Sequence, residues 1–401
     1  MTTLAAAIPR GGISRARQRG YGILYLVLAA VIAFIFGNVP GGSETTFGMN
    51  VGRGVAVPNL VLPSAGAAYL LAALAAAAGA IQLTRGFGAR WALALTGVIV
   101  IFAFAFLTWI AADGQVNLAG ILQATLQLSV PITFGAMSGI LCERSGVVNI
   151  AIEGMLLSGA FASAVVASAT GNHWIGIVAA IIVGGLLAAL LAVLAIRYLV
   201  NQIIAGVVIN IFATGVTSFL ASRVLAHYPD LNNPERFGPI VLPVLSDLPF
   251  VGGILFRQNL FIYACIACLV ILHFMLFSTR WGLRVRAVGE HPLAADTVGI
   301  SVFFVRYRNV IGTFEKEMTA GHGFIGLAAM IFGGWAPFGS FLAGLVFGFA
   351  DAVQTRLSIL HVGLPTQFLQ MVPYLVTIVV VAGLVGRVRA PAADGRPYVK
   401  E

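Results

Sequence analysis

Residues 91–112 read WALALTGVIVIFAFAFLTWIAA, carry no charged side chain, and end at Asp113-Gly114. A helix of about 20 apolar residues spans the roughly 30 Å hydrocarbon core of a bilayer. Runs of this kind recur along most of the chain. In lipid the backbone must satisfy its own hydrogen bonds, and continuous runs of this length do so as helices. The composition agrees: 59% of the 401 residues are hydrophobic and 9% are charged, against about 25% charged in a soluble domain.

The net charge is +9, from 21 Arg and 2 Lys against 14 acidic residues. In a soluble protein that balance points to nucleic acid. Here the basic residues sit in short clusters between apolar runs, the pattern of positively charged cytoplasmic loops, so lipid rather than nucleic acid is the expected partner. Three cysteines, Cys142, Cys265 and Cys268, are too few for a disulfide framework.

With the basic N-terminus inside, spans are expected at about 21–37, 65–83, 91–112, 117–140, 147–169, 174–196, 203–222 and 260–277. The first has the charged and apolar parts of a signal peptide but lacks a small-residue cleavage motif, so it is expected to be retained. Arg223 to Asn259 reads as a folded outer loop, and Arg280, Arg284, Arg286, Arg306 and Arg308 as cytoplasmic. Beyond Arg308 the apolar pieces 324–333 and 338–350 read as too short to cross singly, broken by Gly333-Gly334-Trp335-Ala336-Pro337. A last span is expected at about 368–386, before Arg387 and Arg389. The fold class is therefore an all-α, polytopic integral membrane bundle of about 9–10 spans, including broken or re-entrant short helices. Its expected parts are a cytoplasmic N-terminus (1–20), N-terminal transmembrane helices (21–116), a core (117–386) with a cytoplasmic segment at 280–308, and a cytoplasmic tail (387–401).

Asn149 and Glu153 stand four residues apart, which on a helix puts them on one face. A carboxylate at mid-membrane costs about 2.5–3.5 kcal/mol on insertion scales, so it has a partner or a task there; near the interface it simply favours a helix start. Asn210 and Thr214 have the same spacing and fit either a solute pathway or hydrogen bonding between helices. Gly344 and Gly348 form a GxxxG that permits close helix approach. Pro292 to Val298 reads as a short helix between glycines, either a docking element or a solvated loop. The six histidines are scattered, and no HExxH, GxxxxGK[ST] or GxSxG occurs. No metal, cofactor or catalytic chemistry is expected of this chain.

Three segments, in order, carry a resemblance. Ser145-Gly-Val-Val-Asn-Ile-Ala-Ile-Glu-Gly-Met-Leu-Leu-Ser-Gly-Ala-Phe161 resembles the signature of bacterial ABC-importer permeases of the branched-chain amino acid and simple-sugar superfamily, close to the nucleoside-type branch. Arg286-Ala-Val-Gly-Glu-His-Pro-Leu-Ala-Ala-Asp-Thr-Val-Gly-Ile300 looks like the family's coupling segment, and Met318 to Gly333 like its late broken helix. The resemblance implies an inner-membrane, multi-pass permease importing nucleosides or related solutes, with sugars and branched-chain amino acids as alternatives. It implies a second permease, cytosolic ATPase subunits and an outer-face binding lipoprotein as partners. Arg286, Gly289, Glu290, His291, Pro292, Ala295 and Asp296 would then form the coupling site, and Asn149, Glu153, Asn210 and Thr214 the solute pathway. An ion-coupled secondary transporter is the competing class, since broken helices and Glu153 also fit it.

One departure stands out. Members of this family carry another span between the coupling segment and the stretch equivalent to Thr313 to Gly321, whereas here Arg306 to Thr313 runs straight through. About 20 residues, one crossing, are missing near Val310. Two returning short pieces plus a final span would leave the tail outside, against Arg387 and Arg389. Either one short piece is re-entrant, the terminal bundle is displaced, or the chain is a deletion variant with impaired transport.

Overall fold

A computed structural model describes residues 14–52, 56–234, 237–311, 321–359 and 389–400. They divide into two compact units, one reaching Gly120 and including Leu248–Phe250, the other comprising Ile121–Asp247 and Val251–Glu401.

In the first unit α1 (Arg15–Val31), α2 (Ser64–Thr84) and α3 (Trp91–Ile110) are long and apolar. Alanines at 68, 72 and 75 are buried along one side of α2, and Gly79 lets α2 approach Leu26 of α1. Phe36 stacks on Trp109 and tilts against Phe102, which closes one end of the three helices. A small sheet, β1 (Glu44–Gly48) flanked by antiparallel β2 (Leu60–Pro63) and parallel β3 (Gln115–Asn117), satisfies the backbone of the connections.

The second unit is built around α4 (Leu118–Glu143), 72% of whose apolar window is buried, against 22–39% for the other long helices of that unit. Around it stand α5 (Ile152–Thr170), α6 (His173–Ala192) and α7 (Gln202–Leu220). A looped excursion follows, carrying β4 (Ile240–Val241), α8 (Val251–Leu255) and β5 (Arg257–Gln258). The chain continues through α9 (Leu260–Ser278), α10 (Arg280–Glu290), α11 (Pro292–Thr297) and α12 (Val302–Ile311). The hairpin of α13 (His322–Phe332) and α14 (Pro337–Ile359) completes the described helices. Asn172, Asn201, Asn259 and Thr279 each cap the helix that follows them, accepting backbone N–H groups of its first turn.

Among the described residues nine helices are long and apolar enough to cross a membrane, and α13 is a shorter apolar helix. Large apolar side chains such as Phe34, Leu93 and Ile211 stand exposed on them, as lipid-facing residues do in a multi-pass membrane protein. Two expectations need correction. The 338–350 piece belongs to a 23-residue helix, α14, which is long enough to cross; polar Asp351, Gln354 and Thr355 had hidden its length. The fifth helix begins at Ile152, not 147, because residues 147–150 are not helical. The expected last span at 368–386 and the junction after Ile311 lie outside the described residues.

The GxxxG pair serves close packing: a methyl at Gly344 would reach Thr133 Oγ1 and one at Gly348 the Thr125 carbonyl oxygen, 2.9 and 2.7 Å away on α4. A Gly348→Leu variant in detergent is therefore expected to lose about 1–3 kcal/mol of stability in thermal unfolding. Gly215→Leu, at a position with open space around it, is expected to stay within about 0.5 kcal/mol of the parent.

Candidate functional site

The chain breaks its helical pattern after α4. Gly146 adopts φ +86°, and residues 147–150 run without helical hydrogen bonds before α5 starts. In a bilayer such a segment persists only where protein satisfies its backbone. Polar side chains of α7 do so. Gln202 Oε1 accepts from Val148 N at 2.6 Å, Asn210 Nδ2 donates to Ile150 O at 2.8 Å, and Asn210 Oδ1 accepts from Gly154 N at 2.7 Å.

Glu153, in the first turn of α5, points at the start of α13. Its carboxylate accepts from Gly323 N at 2.8 Å and Gly321 N at 3.2 Å. Unpaired N–H groups and the aligned peptide dipoles make a helix N-terminus the natural partner of a carboxylate. Glycine is required there, since a methyl at Gly323 would come 2.6 Å from Glu153 Cα. Beside this contact His322 Nε2 lies 3.2 Å from Asp351 Oδ2 of α14. Both side chains are 15% exposed.

At the other end of α13, Arg144 Nε and Nη2 donate to the carbonyls of Trp335 and Gly334 at 3.0 and 3.3 Å, and Trp335 Nε1 donates to Glu143 Oε2 at 2.6 Å. The 11 residues of α13 measure about 16 Å at 1.5 Å per residue. Glu153 therefore lies about half a bilayer thickness from Arg144, carried there by the unwound residues 145–151. The helix α13 runs back toward the arginine side, and α14 runs away from it.

The structure corrects the helix-face pairings. Asn149 precedes α5 and is fully buried, with its Nδ2 3.5 Å from Cys142 Sγ, so it shares no helix face with Glu153. Asn210 is spent on the backbone at the start of α5, while Thr214 is exposed. Sequence reasoning passed over Gln202, His322 and Asp351, whose partners lie far away in sequence.

The expected coupling residues come together on α10 and α11. His291 caps α11, its Nδ1 accepting from Ala294 N at 3.1 Å, with Pro292 in the first turn. Glu290 and His291 are exposed, Arg286, Pro292 and Asp296 half-buried, and Gly289 and Ala295 buried. The last two act by packing: a side chain on Gly289 would overlap the Arg144 carbonyl oxygen. Arg306, expected on the cytoplasmic side, is 2% exposed, because its guanidinium caps carbonyls of Ser145 at 3.2 Å and Arg396 at 3.1 Å. Burial pushes it down to about 10.

Comparison with known proteins gives a consistent pattern. Residues 121–313 match the family described as branched-chain amino acid transport system / permease component. A guanosine ABC transporter permease protein of Bacillus subtilis is 36% identical over 70% of this chain and 96% of its own length. A nucleoside ABC transporter permease protein of Lactococcus lactis is 36% identical over 71% and 98%. A putative glucose ABC transporter permease protein of Haloferax volcanii is 35% identical over 59% and 78%. No solved structure matches the chain. The first two alignments run over 307 and 313 positions but take in 70% and 71% of 401 residues, about 281 and 285, leaving about 26 and 28 positions without a residue of this chain.

Asn210→Ala strips two buried backbone groups of their partners and is expected to lower stability by about 1–3 kcal/mol. Thr214→Ala is expected to change it by less than about 0.5 kcal/mol. Thermal unfolding of both variants in one detergent makes the comparison.

Proposed function

The chain belongs to the permease family of branched-chain amino acid and simple-sugar ABC importers, in its nucleoside-type branch, and from that premise we propose that it serves nucleoside uptake across a bacterial inner membrane. As a permease subunit it is moved by ATPase subunits encoded elsewhere and receives solute from a binding protein. We assign it a second, related permease, two cytosolic ATPases and an outer-face lipoprotein. The observation that carries the substrate class is the 36% identity to permeases named for guanosine and for nucleosides, over nearly the whole of both. Sugar is the second reading, favoured by the 35% identity to the putative glucose permease. Family membership sets aside the ion-coupled secondary transporter.

The polar groups at depth support a path for a small polar solute. His322 and Asp351 offer donor and acceptor atoms of the kind ribose hydroxyls and base edges need. In this reading Glu153 holds the helix end at the path, Asn149 and Asn210 support its wall, and Thr214 lies on the outer face of α7. Glu290 and His291 meet an ATPase groove, with exposed Leu293 and Val298 beside them. Transport itself is proposed to be impaired in this chain, on the reading that the positions unmatched against the relatives are a crossing lost near Val310.

A mild-detergent pull-down of the tagged chain is expected to recover a P-loop ATPase and a second permease. Glu290→Ala with His291→Ala should cut ATPase recovery at least about tenfold, equivalent to about 1.4 kcal/mol, while membrane insertion persists; unchanged recovery contradicts the docking assignment. Radiolabelled guanosine uptake by the assembled complex should be low and should rise when a span of about 20 residues is restored at Val310. Competition by glucose but not by nucleosides would overturn the substrate class.

A further inference from the structure

Residues 389–400 return to the arginine side and pack there in detail. Ala393 N donates to Gly289 O at 2.9 Å, and Ala392 N to Glu290 Oε2 at 3.4 Å, so the tail lies along the end of α10. It also touches the unwound segment. A methyl at Gly146 would come 3.1 Å from Ala393 O, and one at Gly395 would come 3.3 Å from Val148. Arg306 of α12 joins Arg396 O to Ser145 O, and Phe303 meets Tyr398 edge to face at 5.4 Å. Ala393 and Tyr398 are 4% and 5% exposed.

The centre of this contact is a pair of carboxyls. Asp394 meets Glu143, whose carboxyl also accepts from Trp335 Nε1 in the α13–α14 turn and from the Asn149 backbone N–H. Two carboxyls bond to each other only if one keeps its proton.

We propose that residues 391–398 form a strap, positioned by Asp394, that ties the coupling segment to the unwound residues 145–151 and to the α13–α14 turn. The strap rests on the reading of α10 and α11 as the ATPase-docking segment. It gives that segment a route of direct contacts to the hairpin whose far end Glu153 holds: Glu290 and Gly289 to the tail, Asp394 to Glu143, and Glu143 to Trp335. It adds to the close approach of Gly289 to the Arg144 carbonyl and to the packing of Val285 and Val288 in one core with Met330 and Trp335.

The charged and titratable groups facing Asp394 are Glu143 on α4 and Arg306 on α12, with the Gly395 N–H beside them. Burial raises the Asp394 carboxyl to about 6, opposed first by the hydrogen bond from Glu143, then by the Gly395 N–H and Arg306. A carboxyl whose docked value is raised favours docking while protonated, so the strap is tightest at low pH and loosens as pH climbs through that value.

Hydrogen exchange of the full chain in nanodiscs, read over residues 286–300 and 391–398, tests this. Ending the chain after Val388, or making Asp394→Arg, is expected to speed exchange at 286–300 at least about tenfold. Asp394→Asn, whose amide can hydrogen-bond Glu143, should keep protection and abolish its decline between about pH 4 and pH 7. Unchanged exchange at 286–300 after truncation overturns the strap. Faster exchange with undiminished ATPase recovery in the same samples overturns its part in docking. If the full chain recovers no ATPase, the docking assignment falls, and the strap still stands or falls on exchange alone.

Discussion

Everything at the centre of the second unit depends on the Glu153 carboxylate sitting on the N-terminus of α13. A helix that begins inside a bilayer exposes N–H groups that lipid cannot satisfy, and a carboxylate at the same depth has no water to stabilise its charge. Each removes the other's penalty. The contact requires glycine at 323, where any side chain would push the two apart. It also requires α5 to start late, which leaves residues 147–150 unwound and brings Gln202 and Asn210 of α7 in as backbone partners.

From that contact the path of the chain follows. The helix α13 hangs between Glu153 and the Glu143–Arg144 corner, so it covers half the bilayer without crossing it, and α14 alone makes the outward passage. The tail, residues 389–400, lies at Gly289 and Arg306. Arg306 and the tail residues 393–396 thus lie together on one side, as the charge rule requires.

The sequence made the helical membrane fold legible because span length and arginine placement are both one-dimensional signals. Eight expected spans overlap helices of the structure, and the Gly333 to Pro337 break is a turn between α13 and α14. The site was less legible. Four-residue spacing put Asn149 beside Glu153 only on the assumption that a helix continued through both. The structure starts that helix only at residue 152, with the preceding backbone held by partners on α7, some 50 to 60 residues away in sequence. His322 and Asp351 looked like isolated polar residues because their pairing exists only once the hairpin closes. Arg306 read as a cytoplasmic charge, and its carbonyl partners come from residues 145 and 396. Local periodicity predicts which residues face lipid, but not which buried polar groups find one another.

The re-entrant course of α13 is tested most directly by labelling single introduced cysteines with a membrane-impermeant thiol reagent in sealed, right-side-out vesicles. The sites are Asp113→Cys, Arg308→Cys and Arg389→Cys, with the parent chain as background for Cys142, Cys265 and Cys268. The account predicts that 113 labels in intact vesicles, while 308 and 389 label only after permeabilisation. Labelling of 389 in intact vesicles, with 308 protected, would put the tail outside and contradict it.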